Sequence, residues 1–89
     1  MGRETDVLVG RRLRRRRRLM GLSQQQLGAA CGLGFYQVQA YETGASPLPV
    51  AMLWDLACAL EVDIGYFFVD LPRAIPAGEA RPRSAANAA

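Results

Sequence analysis

The 89-residue sequence predicts an all-α fold, a five-helix bundle that contains a helix-turn-helix. Three observations lead there. Between Leu22 and Gly44, the run LSQQQLGAACGLGFYQVQAYETG lays two short helical patterns around a glycine-bearing turn. Apolar residues also fall on one helical face before it, at Val9, Leu13 and Met20, and at i, i+3/i+4 spacing after it, through Met52, Leu53, Leu56, Ala57 and Leu60. Glycines and prolines stand where these patterns stop: Gly21, Gly32, Gly44, Pro47 and Pro49.

Each element follows from local chemistry. Residues 1–6 are expected to be a flexible N-terminus, and residues 7–20 a first helix with Val9, Leu13 and Met20 inward and arginines over the remainder. Gly21 ends it. Ser23, with Gln26 three positions on, has the arrangement of a capping box, so a second helix is expected from Gln24. Leu27 and Cys31 then share a face, and Gly28 leaves room for another backbone. The third helix, at about residues 35–43, turns Val38 and Tyr41 inward and leaves Tyr36, Gln37, Gln39 and Ala40 facing elsewhere. Pro47 and Pro49 make the next segment a connector, and Pro49 is suited to open the fourth helix, which runs to about Leu60. Trp54 flanks its apolar stripe, which leaves both a core and an interface position open to it. A short fifth helix is expected over residues 64–69, with Asp63 as N-cap and Phe67 or Phe68 closing the core. Residues 7–70 thus form the folded domain. Beyond them, residues 71–89 carry Pro72, Pro76 and Pro82 among alanine, glycine and arginine, too little apolar bulk to offset ordering, and are expected to be a disordered tail.

Composition narrows the function. A chain of this size supports one modest core, often supplemented by oligomerisation, and not a multi-step enzyme. No uncharged apolar run approaches the roughly 20 residues that span a bilayer, and no apolar stretch follows the N-terminal arginines as in a secretory signal. No membrane segment is therefore expected, and the location expected is cytoplasmic. The chain has no histidine, so Cys31 and Cys58 build neither a Cys/His zinc site nor a Cys/His nucleophile; both are expected reduced and packed as small hydrophobes. No paired carboxylates, phosphate-loop glycines or metal cluster stand out, and Ser23 and Ser46 lack a base. No catalytic residue, cofactor, metal or small-molecule ligand is expected. Regulation is left to concentration or to a regulatory protein partner. Charge is asymmetric: up to Gly44 eight arginines face Glu4, Asp6 and Glu42, a net +5, whereas the following segment to Pro72 carries only acidic residues, a net −4. One half seeks anions.

From Val9 to Phe68 the chain resembles the Cro and phage-repressor family of helix-turn-helix domains, the Cro/C1 or xenobiotic-response-element type, most specifically in GLSQQQLG, QVQAYETG and LACALEVDIGYFF. The resemblance implies a lambda-repressor-like five-helix bundle that dimerises and places its third helix in the major groove of double-stranded DNA. It implies base reading by Gly34, Phe35, Tyr36, Gln37 and Ala40, with Gln37 and Tyr36 foremost; Phe35 has the alternative of packing beneath the helix start. Phosphate contacts are expected from Gln24 at a helix N-terminus, from Arg11 or Arg12 near the start of the first helix, and from Gln39, Thr43 and Ser46. Arg17 and Glu42 match a structural pair joining the first helix to the end of the third. Arg16 departs from the pattern, since relatives often have leucine there; its stem is expected to cover the core edge with the guanidinium outward. Arg11, Arg12, Arg14, Arg15 and Arg18 are expected to circle the helix. The connector also departs, with Pro47, Leu48 and Val50 where relatives often carry basic residues.

The function expected is a sequence-specific transcriptional regulator, a repressor acting by occlusion, bound as a homodimer to a palindromic operator. Its dimer surface is expected on the fourth and fifth helices, with Trp54, Leu48 and Tyr66. Two alternatives stand beside it: an antitoxin-like or coactivator-like protein-interaction module that has lost base reading, and a non-specific nucleic-acid binder driven by arginine.

Overall fold

The computed structural model describes residues 3–71. The expected tail lies outside the described residues apart from Leu71, as do Met1 and Gly2. Four α-helices follow in order, α1 (Glu4–Leu19), α2 (Gln24–Cys31), α3 (Phe35–Thr43) and α4 (Val50–Leu60), and then a 3-10 helix (Ile64–Phe68). Among the described residues no helix is long and apolar enough to cross a membrane.

Two boundaries differ from the sequence expectation. The first helix begins at Glu4, three residues early: the Arg3 amide donates to Asp6 Oδ2 at 3.4 Å, and Glu4 and Asp6 place negative charge in the first turn, where the helix dipole favours it. The same dipole favours Arg16, Arg17 and Arg18 in the last turn. The fifth element is not an α-helix. Asp63 gives it no side-chain cap, and the five-residue segment closes as a 3-10 helix, with the Tyr66 amide donating to the Asp63 carbonyl at 2.9 Å.

The buried core is Val9, Leu13, Leu27, Val38, Tyr41, Leu53, Leu56, Ala57, Leu60 and Phe67. Phe67 closes it from the 3-10 helix, and Phe68 remains exposed. The α1 helix packs on α3 and on the 3-10 helix, while α2 packs on α3 and α4. Two glycines set the interhelical distances. A Cβ at Gly28 would lie 2.5 Å from the Leu33 carbonyl oxygen, so α2 needs glycine where the turn folds back on it. A Cβ at Gly10 would collide with the carbonyls of Tyr41 and Glu42, which puts α1 and the end of α3 in backbone contact.

Candidate nucleic-acid interface

The helix-turn-helix is built by short-range bonds. Ser23 Oγ accepts from the Gln26 amide at 3.0 Å and the Ser23 amide donates to Gln26 Oε1 at 2.8 Å, a reciprocal capping box that starts α2. Gly32 ends α2 in the left-handed conformation, and the Leu33 amide returns to the Gly28 carbonyl at 2.8 Å. Gly34 then opens α3 without a side-chain cap.

One face of α3 buries Val38 and Tyr41. On the other, Tyr36 is 77% exposed and Phe35 lies against it, ring centroids 4.4 Å apart. Phe35 thus packs on its neighbour at the surface and not beneath the helix start. Gly34 and Gln39 are exposed, while Gln37, Ala40 and Ser46 are half-buried. Thr43 is exposed, but its hydroxyl donates to the Ala40 carbonyl at 3.2 Å and accepts from the Ala45 amide at 3.4 Å. With its proton so used, Thr43 closes the turn after α3 and is a poor donor to phosphate.

Behind this surface Arg17 and Glu42 form a buried, two-pronged ion pair. Arg17 Nε donates to Glu42 Oε2 at 2.5 Å and Nη2 to Oε1 at 3.0 Å, while Nη1 donates to the Leu22 carbonyl at 2.7 Å. Gln24 joins the same network, its Nε2 donating to Glu42 Oε1 at 3.0 Å. An amide nitrogen has two protons, so Gln24 keeps one for another acceptor at the α2 N-terminus. A single cluster therefore fixes α1, the turn before α2, the first residue of α2 and the end of α3.

The α1 arginines divide into two sets. Arg12, expected as an alternative to Arg11 at phosphate, turns inward. Its Nε donates to the Tyr66 carbonyl at 2.9 Å, its guanidinium lies 3.9 Å from the Tyr66 ring centroid, and Nη1 is 3.9 Å from Asp70 Oδ2. That partnership anchors the 3-10 helix to α1. Arg16 turns its Nε onto the Leu60 carbonyl at 2.9 Å and so caps the C-terminus of α4. Arg11, Arg14, Arg15 and Arg18 are exposed and, with Leu19, line one side of α1. They do not circle it, because positions i, i+3, i+4 and i+7 share a helix face.

One position left open by the sequence is decided, and two further expectations are corrected. Trp54 belongs to the surface, 59% exposed, with Val50 one turn before it more exposed still. Tyr66 is half-buried under Arg12 and does not join an open apolar patch. Cys58 is exposed and does not pack as expected, whereas Cys31 is half-buried and packs against the edge of the core. Among the described residues no cluster of three or more His, Cys, Asp or Glu side chains is arranged to hold a metal.

The helix-turn-helix family model designated HTH_3 matches residues 13–67. An uncharacterized HTH-type transcriptional regulator of Sinorhizobium fredii is 48% identical over 67 residues, 75% of this chain and 47% of the relative. The chain spans about half the length of that relative and of several other curated ones it matches. Among solved structures, the restriction-modification controller protein C.AhdI of Aeromonas hydrophila superposes with a TM-score of 0.67 at 34% identity, over 70% of this chain and 94% of that one. The P22 c2 repressor, solved in complex with a synthetic operator, superposes with a TM-score of 0.64 at 27% identity, over 67% and 91%. The capping-box turn, the glycine-bounded α3 and the Arg17–Glu42 brace all fall within the matched span, and the chain belongs to the HTH_3 helix-turn-helix family, of the Cro/C1 type.

Proposed function

We propose that this chain is a sequence-specific double-stranded DNA-binding regulator that represses by occlusion as a homodimer on a palindromic operator. The observation that carries this is the division of α3 between a buried face and an outward face bearing Tyr36, with Gln37 half-buried beside it, on a helix clamped at its far end by Arg17 and Glu42. A rigid mount for a few side chains is what reading base edges requires. Gln37 offers a bidentate partner for adenine, and the Tyr36 and Phe35 rings and the Ala40 methyl offer contacts to thymine methyls, with Gly34 leaving the backbone open to approach. Arg11, Gln24, Gln39 and Ser46 serve the phosphates, Gln24 through its remaining N–H beside the α2 amides. The chain carries out no catalytic step.

Pairing supplies the specificity that one small reading surface lacks, by setting two α3 helices about one helical turn, roughly 34 Å, apart. The exposed apolar residues Val50 and Trp54 on α4 support that pairing. Selection from a random double-stranded library at about 150 mM salt tests the proposal, since non-specific phosphate binding is weak there. An enriched palindrome is the expected result. No enrichment from folded protein overturns it in favour of the protein-interaction module.

A further inference from the structure

Cys31 and Cys58 are the two cysteines of the chain, and they come from different helices to line one open groove between α2 and α4, with Ala30, Asp55 and Ala59. Cys31 reaches the main chain of α4, its Sγ lying 3.9 Å from the Asp55 carbonyl oxygen. Cys58 follows Asp55 by three residues, which sets it within one turn, about 5 Å of rise, on the same flank of α4. Cys31 packs against the edge of the core and Cys58 is exposed, and neither belongs to the proposed DNA surface. An exposed Cys58 is also unusual in itself, because free cysteine is among the most buried residue types.

The ligand class follows from the donor set. Asp55 does not complete a three-ligand cluster with the two thiols, and a structural zinc site asks for four donors in a tetrahedron. Two sulfur donors alone suit a soft ion that is content with two ligands. We infer that Cys31 and Cys58 form a two-thiolate site for a soft d10 ion of the monovalent copper or divalent mercury class, bridging α2 to α4. Binding forms two metal–sulfur bonds and releases one proton from each thiol, with no change in oxidation state. Burial, then Asp55, then Cys58 push the Cys31 thiol up from its ordinary pKa.

The test titrates mercuric chloride into the reduced full chain at low micromolar concentration, with native mass spectrometry, proton release and residual thiol reactivity as readouts. One ion per chain, two protons released and no reactive thiol left at one equivalent are expected, whereas zinc ion over the same range leaves both thiols reactive. Cys31→Ser and Cys58→Ser, checked for helicity by circular dichroism, should each lose the ion to excess glutathione on the order of 100-fold faster than the parent, as loss of a second intramolecular ligand predicts. Two ions per chain, one ion bridging two chains through Cys58, or equal stripping rates in parent and variants would overturn the site.

Discussion

Arg17 and Glu42 hold α1 to the end of α3 through two parallel bonds, while the third guanidinium nitrogen takes the Leu22 carbonyl and Gln24 shares the carboxylate. Both residues are buried, so the brace is sensitive to removal of one partner: the survivor keeps its desolvation cost and loses its counter-charge. Arg17→Ala or Glu42→Gln should each destabilise the domain by about 3 kcal/mol or more, and an apolar replacement of both should cost far less than the sum of the two. Urea denaturation of the four species, arranged as a double-mutant cycle, measures this; additive losses would show that the two groups do not act as a pair.

Arg12 and Arg11 are adjacent in sequence and have opposite tasks in the proposed complex. Arg12→Met removes the bond to the Tyr66 carbonyl and the stack on its ring, and should cost about 1 to 3 kcal/mol of stability while leaving the salt dependence of DNA binding unchanged. Arg11→Ala should leave stability nearly unchanged, weaken all DNA sequences alike and lower the slope of log affinity against log salt by about 1. Thermal melts and binding isotherms at several salt concentrations separate the two. A lowered slope for the Arg12 variant would place its charge at DNA after all.

What was legible in the sequence is what local chemistry determines. Ser23 and Gln26 announce the start of α2 because their bonds span three residues, and Gly44 announces the end of α3 because the chain there needs a left-handed turn at φ 82°. Arg12 and Arg16 were illegible for the opposite reason. Their partners, Tyr66 and Leu60, lie 54 and 44 residues away, and an arginine in a run of arginines carries no mark of an inward bond. The exposure of Trp54 and Cys58 was hidden similarly, since each flanks an apolar stripe whose centre alone is clear from spacing. The single sequence sign for the inward pair is that Arg12 and Arg16 stand four apart, on the flank opposite Arg11, Arg14 and Arg18.

Gly10 also escaped notice, because a glycine inside a helix usually signals only a weak helix. Here its missing side chain is what lets α1 touch the Tyr41 and Glu42 carbonyls. Gly10→Ala should therefore lose about 3 kcal/mol, near the upper end for overpacking, because the obstructing atoms are backbone and have no rotamer to change. Gly65→Ala is the control: nothing lies within 4 Å of its Cβ position, and the substitution should be neutral or stabilise by up to about 1 kcal/mol. Equal effects of the two changes in chemical denaturation would refute the close approach of α1 to α3.

Val50 and Trp54 offer a test of pairing that spares the reading surface. Both are well exposed in a single chain, so Val50→Glu or Trp54→Glu should leave the thermal midpoint of dilute protein nearly unchanged. Charge buried at a dimer contact is costly, and sedimentation should show self-association weakened by at least about tenfold. Unaltered self-association in both variants would move the contact off α4.

Tyr36 and Gln37 divide sequence reading from simple attraction. If they touch base edges, Tyr36→Ala and Gln37→Ala should each cost about 1 to 3 kcal/mol at the selected operator and relax the preference at one base position while leaving affinity for unrelated DNA nearly unchanged. Stability should hold, since Tyr36 is exposed and Gln37 only half-buried. Repeating the library selection with each variant gives the answer directly: a preference lost at one base pair identifies a reader, and its symmetric loss in both half-sites identifies the dimer. Equal weakening on every sequence would instead assign the two side chains to the phosphates.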